Sequence, residues 1–152
     1  NTNFHLPTLS YSQFLRCIRA LTHSEPEVIK GYRQCVFNVV FHNRDDHTKN
    51  FSFVMNAVGK WVLSPPYDLS FNTGLNGEHN MDIMGEGKNI RRQHLLGLAK
   101  SSDIKSTVAN EIIEQTLAVA SALDVQLQSF PIDSEYRQRI CQHVAQNMDY
   151  LR

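Results

Sequence analysis

Hydrophobic residues between Leu9 and Leu21 recur at helical spacing. Tyr11, Phe14, Leu15, Ile18 and Leu21 share one face, and Ser10 is placed to cap the first turn. A clearer start follows at Ser24-Glu25-Pro26-Glu27. Serine can cap, proline suits the first turn, and the glutamate three residues on completes a capping box. The helix opened there is predicted to run to about His42, with Val28, Tyr32, Cys35, Val36 and Val39 turned to the core. It is a buried helix with a polar end.

The period then changes. Phe51 to Met55 and Trp61 to Leu63 are short β-prone runs separated by Asn56 to Lys60, which includes Gly59, and they read as a hairpin. Pro65-Pro66 closes the second strand, because proline has no N–H to give to a ladder. Trp61 is expected in the core. Ser70 to Lys88, with Gly74, Gly77, Gly85 and Gly87, shows little periodicity. A loop of that length in a compact domain is usually functional or mobile. Three helices are predicted after it. The first spans Ile90 to Lys100. The second spans Asp103 to Leu123, capped by Ser102 or Asp103, with Ile104, Val108, Ile112 and Thr116 or Leu117 on one face. The third spans Ser134 to Leu151, with Tyr136, Ile140, Val144 and Met148 at steps of four. The fold class expected is mostly α (α+β), one helical domain with a single hairpin set into it.

Composition adds exclusions. The chain has 152 residues, enough to bury a real core, with fifteen basic residues against fifteen acidic ones. No net field points to nucleic acid or to an acidic membrane surface, so such contacts would need a local patch. Arg91-Arg92 with Lys88, Lys100 and Lys105 is one candidate, read first as a solvated helix face. Cys17, Cys35 and Cys141 are an odd number without a C-x-x-C pair, which fits reduced thiols inside a cell. No apolar run approaches the roughly 18 residues of a membrane span, and no basic-then-apolar signal opens the chain. A cytoplasmic location is therefore expected, and the Asn50-Phe51-Ser52 sequon is set aside. The chain opens Asn-Thr-Asn, as a fragment or processed chain would.

Chemistry concentrates in Asn43-Arg44-Asp45-Asp46-His47-Thr48-Lys49-Asn50, where five of eight side chains (Arg44, Asp45, Asp46, His47, Lys49) carry or can carry charge. Apolar segments flank the cluster on both sides, so the loop rises from a rigid base. Phosphoryl transfer needs an acceptor for a hydroxyl proton, oxygen ligands for magnesium, and positive charge near the phosphoryl group. Asp-x-x-x-x-Asn supplies a base and a ligand from one loop, here Asp45 and Asn50. A second carboxylate, Asp68, follows the hairpin in Pro66-Tyr67-Asp68-Leu69-Ser70. The hairpin folds back and can return Asp68 to the side holding Asn50. Tyr67 is expected to fix that carboxylate's direction.

Asp45-Asp46-His47-Thr48-Lys49-Asn50-Phe51-Ser52-Phe53 followed by Leu63-Ser64-Pro65-Pro66-Tyr67-Asp68-Leu69 resembles the catalytic region of the HipA-type serine/threonine kinase toxins. That family shows Asp-x-His-x-Lys-Asn-Phe-Ser and then Leu-x-Pro-x-Tyr-Asp. The resemblance implies a protein-kinase-like C-terminal lobe over residues 1–152, with Mg2+ and ATP as cofactors and a protein hydroxyl as acceptor. Asp45 would be the catalytic base, with Asn50 and Asp68 the metal ligands. Lys49 would lie near the γ-phosphate, and His47 would brace the loop. Where the family often has a small residue after the base, this chain has Asp46, expected to alter how Asp45 titrates. A HipB-like antitoxin is an implied partner. No sequence-specific nucleic-acid contact and no membrane are expected.

A kinase also needs a glycine-rich nucleotide lid and a strand lysine before the catalytic loop. Only 42 residues precede Asn43, they read as two helices, and no G-x-G-x-x-G occurs. Gly85-Glu86-Gly87-Lys88 lies downstream, where the family has a substrate-facing loop. The lobe alone is expected to turn over very slowly. Two other readings stay open. His42, Asp45, Asp46 and His47 would be the metal cluster of a phosphohydrolase, although His5, His23, His79, His94 and His143 show no ligand spacing. Alternatively the lobe is an idle interaction module.

Overall fold

A computed structural model describes residues 9–152. His5 lies outside the described residues. Helix α1 (Tyr11–Thr22) begins at Ser10, whose hydroxyl accepts from Gln13 N while the Gln13 side chain accepts from Ser10 N. Tyr11, Phe14, Leu15 and Ile18 are buried as the spacing requires, whereas Leu21, in the last turn of the helix, is exposed. Helix α2 (Glu25–Val40) buries all five predicted residues. It is the central element: α1, α4, α6 and the second strand pack on it. At Gly31 a Cβ would collide with Ile18 Cδ1, so the α1–α2 crossing is as close as a missing side chain permits.

The predicted Ser24–Glu27 capping box does not form. Glu27 is buried and its carboxylate accepts the N–H of Leu63 at 2.8 Å while pairing with Lys30. A tertiary partner takes the side chain away from its own helix end, and thereby docks the hairpin on α2. Strands β1 (Phe53–Met55) and β2 (Trp61–Leu63) pair antiparallel, with Phe53 opposite Leu63 and Met55 opposite Trp61. β1 starts two residues later than expected. Trp61 is exposed although it shares a face with buried Leu63, because it sits with Met55 at the turn end of the ribbon, where Met55 opposite it is exposed too.

Helices α3 (Arg92–Ser101), α4 (Ser106–Ser121), α5 (Leu123–Leu127) and α6 (Ser134–Leu151) complete the domain. The predicted Asp103–Leu123 helix is shorter at its start. Asp103 has φ 56°, and Ile104 N reaches back to Ala99 O, so the chain makes a left-handed turn there before α4 begins. α5, five residues long, has no periodic signal of its own. In α6 Val144 and Met148 are buried, but Tyr136 is exposed and meets the Phe71 ring edge-on. The basic patch is solvent-exposed at Lys88, Arg91, Lys100 and Lys105, as expected of a solvated face, and only Arg92 is half-buried. Arg92 is bonded to Glu114, Asn110 and Leu151 O, and Arg91 lies over the Tyr150 ring at 5.3 Å. These contacts tie α3 to α4 and α6.

The Ser70–Lys88 segment is irregular but not loose. Met81 and Ile83 are fully buried, and Tyr11 N donates to Asp82 O. Among the described residues no helix is long and apolar enough to cross a membrane.

Candidate active site

The charged loop starts where α2 stops. His42 has φ 58°, which turns the chain out of the helix, and Asn43 N then donates to Asn38 O at 2.9 Å. From the other side the 70–88 segment grips the loop. Asn43 bridges Asn72 in parallel, Arg44 N donates to Asn72 O, and Asn72 N donates to His42 O. Arg44 reaches over that segment to the carbonyls of Gly77 and Lys88. Gly74 (φ 71°) permits this, since a Cβ there would run into Glu78 O and stand 2.8 Å from Arg44 Cβ.

Asp45 and Asp46 face opposite ways. Asp46 is buried and accepts from Tyr11 Oη at 2.7 Å, His79 Nδ1 at 2.8 Å and Asn80 N at 2.8 Å. A carboxylate here only accepts, so the His79 proton is on Nδ1. Asn38 Nδ2 donates onward to Tyr11 Oη at 2.9 Å, and Asn43 Nδ2 donates to Asn38 Oδ1 at 3.0 Å. Burial, and secondly the Asp46 charge, push the Tyr11 phenol well above its ordinary value, so it stays a donor. Asp46 is therefore the loop's anchor in the core, not a second charge presented beside Asp45.

Asp45 is half-exposed. His47 Nε2 stands 3.8 Å from Asp45 Oδ1 and Asn80 Nδ2 3.5 Å from the same atom. A 3-10 turn over Thr48–Asn50 then carries Asn50 back beneath Asp45, where Asn50 Nδ2 donates to Asp45 O at 2.9 Å. That carbonyl can only accept, so the amide's orientation is fixed and Asn50 Oδ1 is the free end. Asn50 Oδ1 has no hydrogen bond among the described residues, and neither does the exposed carboxylate of Asp68. Tyr67 Oη donates to Lys49 O at 2.9 Å, tying the post-hairpin segment to the Asp45–Asn50 loop. Asp68 itself has φ 54°, a left-handed turn that costs a non-glycine residue energy. Lys49 is exposed, with no ion pair among the described residues. The structure thus joins Asn50 to the Asp45 backbone by a hydrogen bond and brings His47 within 3.8 Å of the Asp45 carboxylate. It links Lys49 to Asp68 through Tyr67, with no hydrogen bond between Asp68 and Asn50 among the described residues.

The donor set suits a hard cation: one amide oxygen with its nitrogen already spent, and carboxylates at Asp45 and Asp68 whose oxygens are open to solvent. Asn50 and Asp68 could hold magnesium. The phosphohydrolase cluster does not assemble, because Asp46 is spent on Tyr11, His79 and Asn80 while His42 turns to Asn147 at 3.0 Å. Among the described residues no group of three His, Cys, Asp or Glu could hold a metal. An apolar cleft of about 700 Å3 lies between α2 and the hairpin and meets the site only at Leu69.

Sequence reasoning missed Tyr11, Asn38, His79 and Asn80 as supports of the loop. Their only sequence signals were a polar atom on an apolar helix face (Tyr11, Asn38) and a His-Asn pair in a segment read as loose.

The fold is a helical domain with one hairpin, its Asp45–Asn50 loop tied through Tyr67 to the segment that carries Asp68. The HipA-like C-terminal domain family matches residues 2–123, and the chain belongs to that family. The fold is similar to a chain in the solved complex of the Shewanella oneidensis MR-1 toxin–antitoxin system HipA, HipB and its operator DNA. The TM-score is 0.72 at 18% identity, over 93% of this chain and 35% of that one. The chain thus spans about a third of that relative's length. No curated protein matches the sequence.

Proposed function

We propose that this chain is the catalytic-loop and magnesium-binding part of a HipA-like serine/threonine protein kinase, the toxin of a toxin–antitoxin pair. The observation that carries the reading is the Asn50–Asp45 bond. It points an amide oxygen outward next to a solvent-accessible carboxylate, while Tyr67 secures the Asp68 segment to the same loop.

Asp45 would orient the acceptor hydroxyl and take its proton as the oxygen bonds to the γ-phosphorus. The bond from that phosphorus to the β–γ bridging oxygen breaks, and ADP leaves. His47 holds Asp45 in position, and Lys49 supplies positive charge at the phosphoryl group. Magnesium, held by Asn50 and Asp68, would neutralise phosphate charge when bound. The glycine-rich nucleotide lid would come from polypeptide outside these 152 residues, consistent with the relative being about three times longer. That relative's complex with HipB also supports an antitoxin partner and a cytoplasmic site of action.

The test is phosphoryl transfer from γ-labelled ATP by the complete protein. Asp45→Asn is expected to lower the rate by about 10²–10⁴-fold, the usual share of a general base, with Asp68→Ala also inactive. Transfer at the parental rate in either variant would refute the assignment.

A further inference from the structure

Arg44 also lines a second cavity, of about 240 Å3, that Asp46 does not line. Its floor is His42, Arg44 and Asn147, all buried; Lys88, Asn89 and Gln146 stand exposed at its mouth, and His143 forms a wall. No carboxylate lines it. The carboxylates that act on Arg44 lie outside the lining, and only the Tyr150 phenol is part of it. Asp46 is spent on Tyr11, His79 and Asn80, and Glu78 is an exposed residue outside the lining. Glu86, close in sequence, is occupied by the N–H groups of Lys88 and Asn89.

Two donors in this cavity's floor are unspent. Arg44 Nε is buried with no partner, although its terminal nitrogens hold Gly77 O and Lys88 O. At His42 the tautomer follows from its neighbour. Asn147 Nδ2 is fixed as a donor by Val39 O at 2.9 Å, so His42 Nδ1, 3.0 Å away, must accept. The imidazole proton is then on Nε2, which has no partner among the described residues. A buried donor without an acceptor, as at Arg44 Nε, is costly, and beside the open imidazole N–H of His42 and Lys88, unpaired among the described residues, it attracts an anion.

We propose that this cavity is a binding site for a phosphate group, either free phosphate or a phosphate monoester on a side chain. Arg44 Nε and His42 Nε2 would donate from the floor, Lys88 would close the mouth, and Asn89 and His143 would complete the ring. At roughly 30 Å3 per water the volume accommodates a phosphate and part of its hydration. The site is separate from the Asp45–Asn50–Asp68 arrangement and does not depend on the kinase reading.

The experiment is an NMR titration of the histidine side chains of the intact protein at constant ionic strength, with inorganic phosphate in one arm and a capped phosphoserine peptide in the other. Saturable shifts at His42 and His143 are expected. Lys88→Gln and His143→Gln, both away from the buried floor, should each weaken binding by roughly tenfold, the value of one charge-assisted contact. Tighter binding of the phosphopeptide assigns the site to a phosphorylated side chain, and equal binding assigns it to free phosphate. Absence of saturable shifts at both histidines, or binding unchanged in both variants, overturns the proposal. Because neither variant disturbs Arg44, the result does not hinge on a floor substitution that could unfold the loop.

Discussion

The Tyr11 hydroxyl donates to Asp46 Oδ2 at 2.7 Å, joining the first turn of α1 to a loop thirty-five residues later. Neither residue reaches solvent. The contact explains why two adjacent aspartates, chemically identical in the sequence, have different work. Asp46 holds the loop to the core, and Asp45 is left half-exposed.

The two should separate in stability measurements. Asp46→Ala removes the acceptor of Tyr11 Oη, His79 Nδ1 and Asn80 N, so a loss of about 3–5 kcal/mol is expected, as for other broken buried charge networks. Asp45→Ala, at a half-exposed position with only long contacts, should stay within about 0.5 kcal/mol of the parent. Urea unfolding of both variants checks this. Equal losses would mean that Asp45, too, is structural.

Acid should act through His42. Burial first, then the nearby Arg44, His143 and His79, lower its pKa to about 3. The folded protein keeps this imidazole neutral, while the unfolded chain protonates it below about 6.5. Between those values the unfolded state binds more protons, so stability falls as pH drops from about 6.5 toward 3 and is fully present above that window. His143, also lowered by burial and then by Arg139 and Arg44, adds in the same direction. His42→Gln is expected to flatten the slope of stability against pH below 6.5, read from urea midpoints. An unchanged slope would show that His42 is protonated in the fold.

Two glycines with nearly the same φ should respond differently. At Gly59 (φ 75°) an added methyl group would have nothing within 4 Å, so Gly59→Ala meets only the left-handed backbone penalty of about 1–2 kcal/mol. Gly74→Ala adds a collision with Glu78 O and Arg44 Cβ, neither a flexible end. Its midpoint should fall clearly further than that of Gly59→Ala. Matching midpoints would mean that the 70–88 segment yields without disturbing Arg44.

Helix faces were legible because they are periodic and local. Tyr11, Phe14, Leu15 and Ile18, and the five α2 residues, are buried where their spacing puts them. The Asp45–Asn50 pairing was legible for the same reason, since one tight turn joins them. What could not be read depends on distant partners. Glu27 leaves its helix end for Leu63 N, Asp46 is claimed by Tyr11 and His79, and Met81 and Ile83 enter the core from a segment without a period. Each of those contacts spans about thirty residues or more, or depends on which side of a loop meets the core. Trp61 failed for a related reason: it shares a face with buried Leu63, and which end of the ribbon is covered depends on tertiary packing that a three-residue strand does not encode.

The central claim is that Asn50 Oδ1 and the carboxylate of Asp68 serve one divalent cation beside Asp45. Paramagnetic broadening by Mn2+, used as a stand-in for magnesium, tests it on the protein directly. The Asn50 side-chain amide and the backbone amides of Asp45 and Asp68 are expected to broaden together at the lowest Mn2+, with recovery on adding Mg2+. Asp68→Ala should abolish the effect at Asn50. Broadening that reaches Asp68 without Asn50, or that persists at Asn50 in Asp68→Ala, would contradict it.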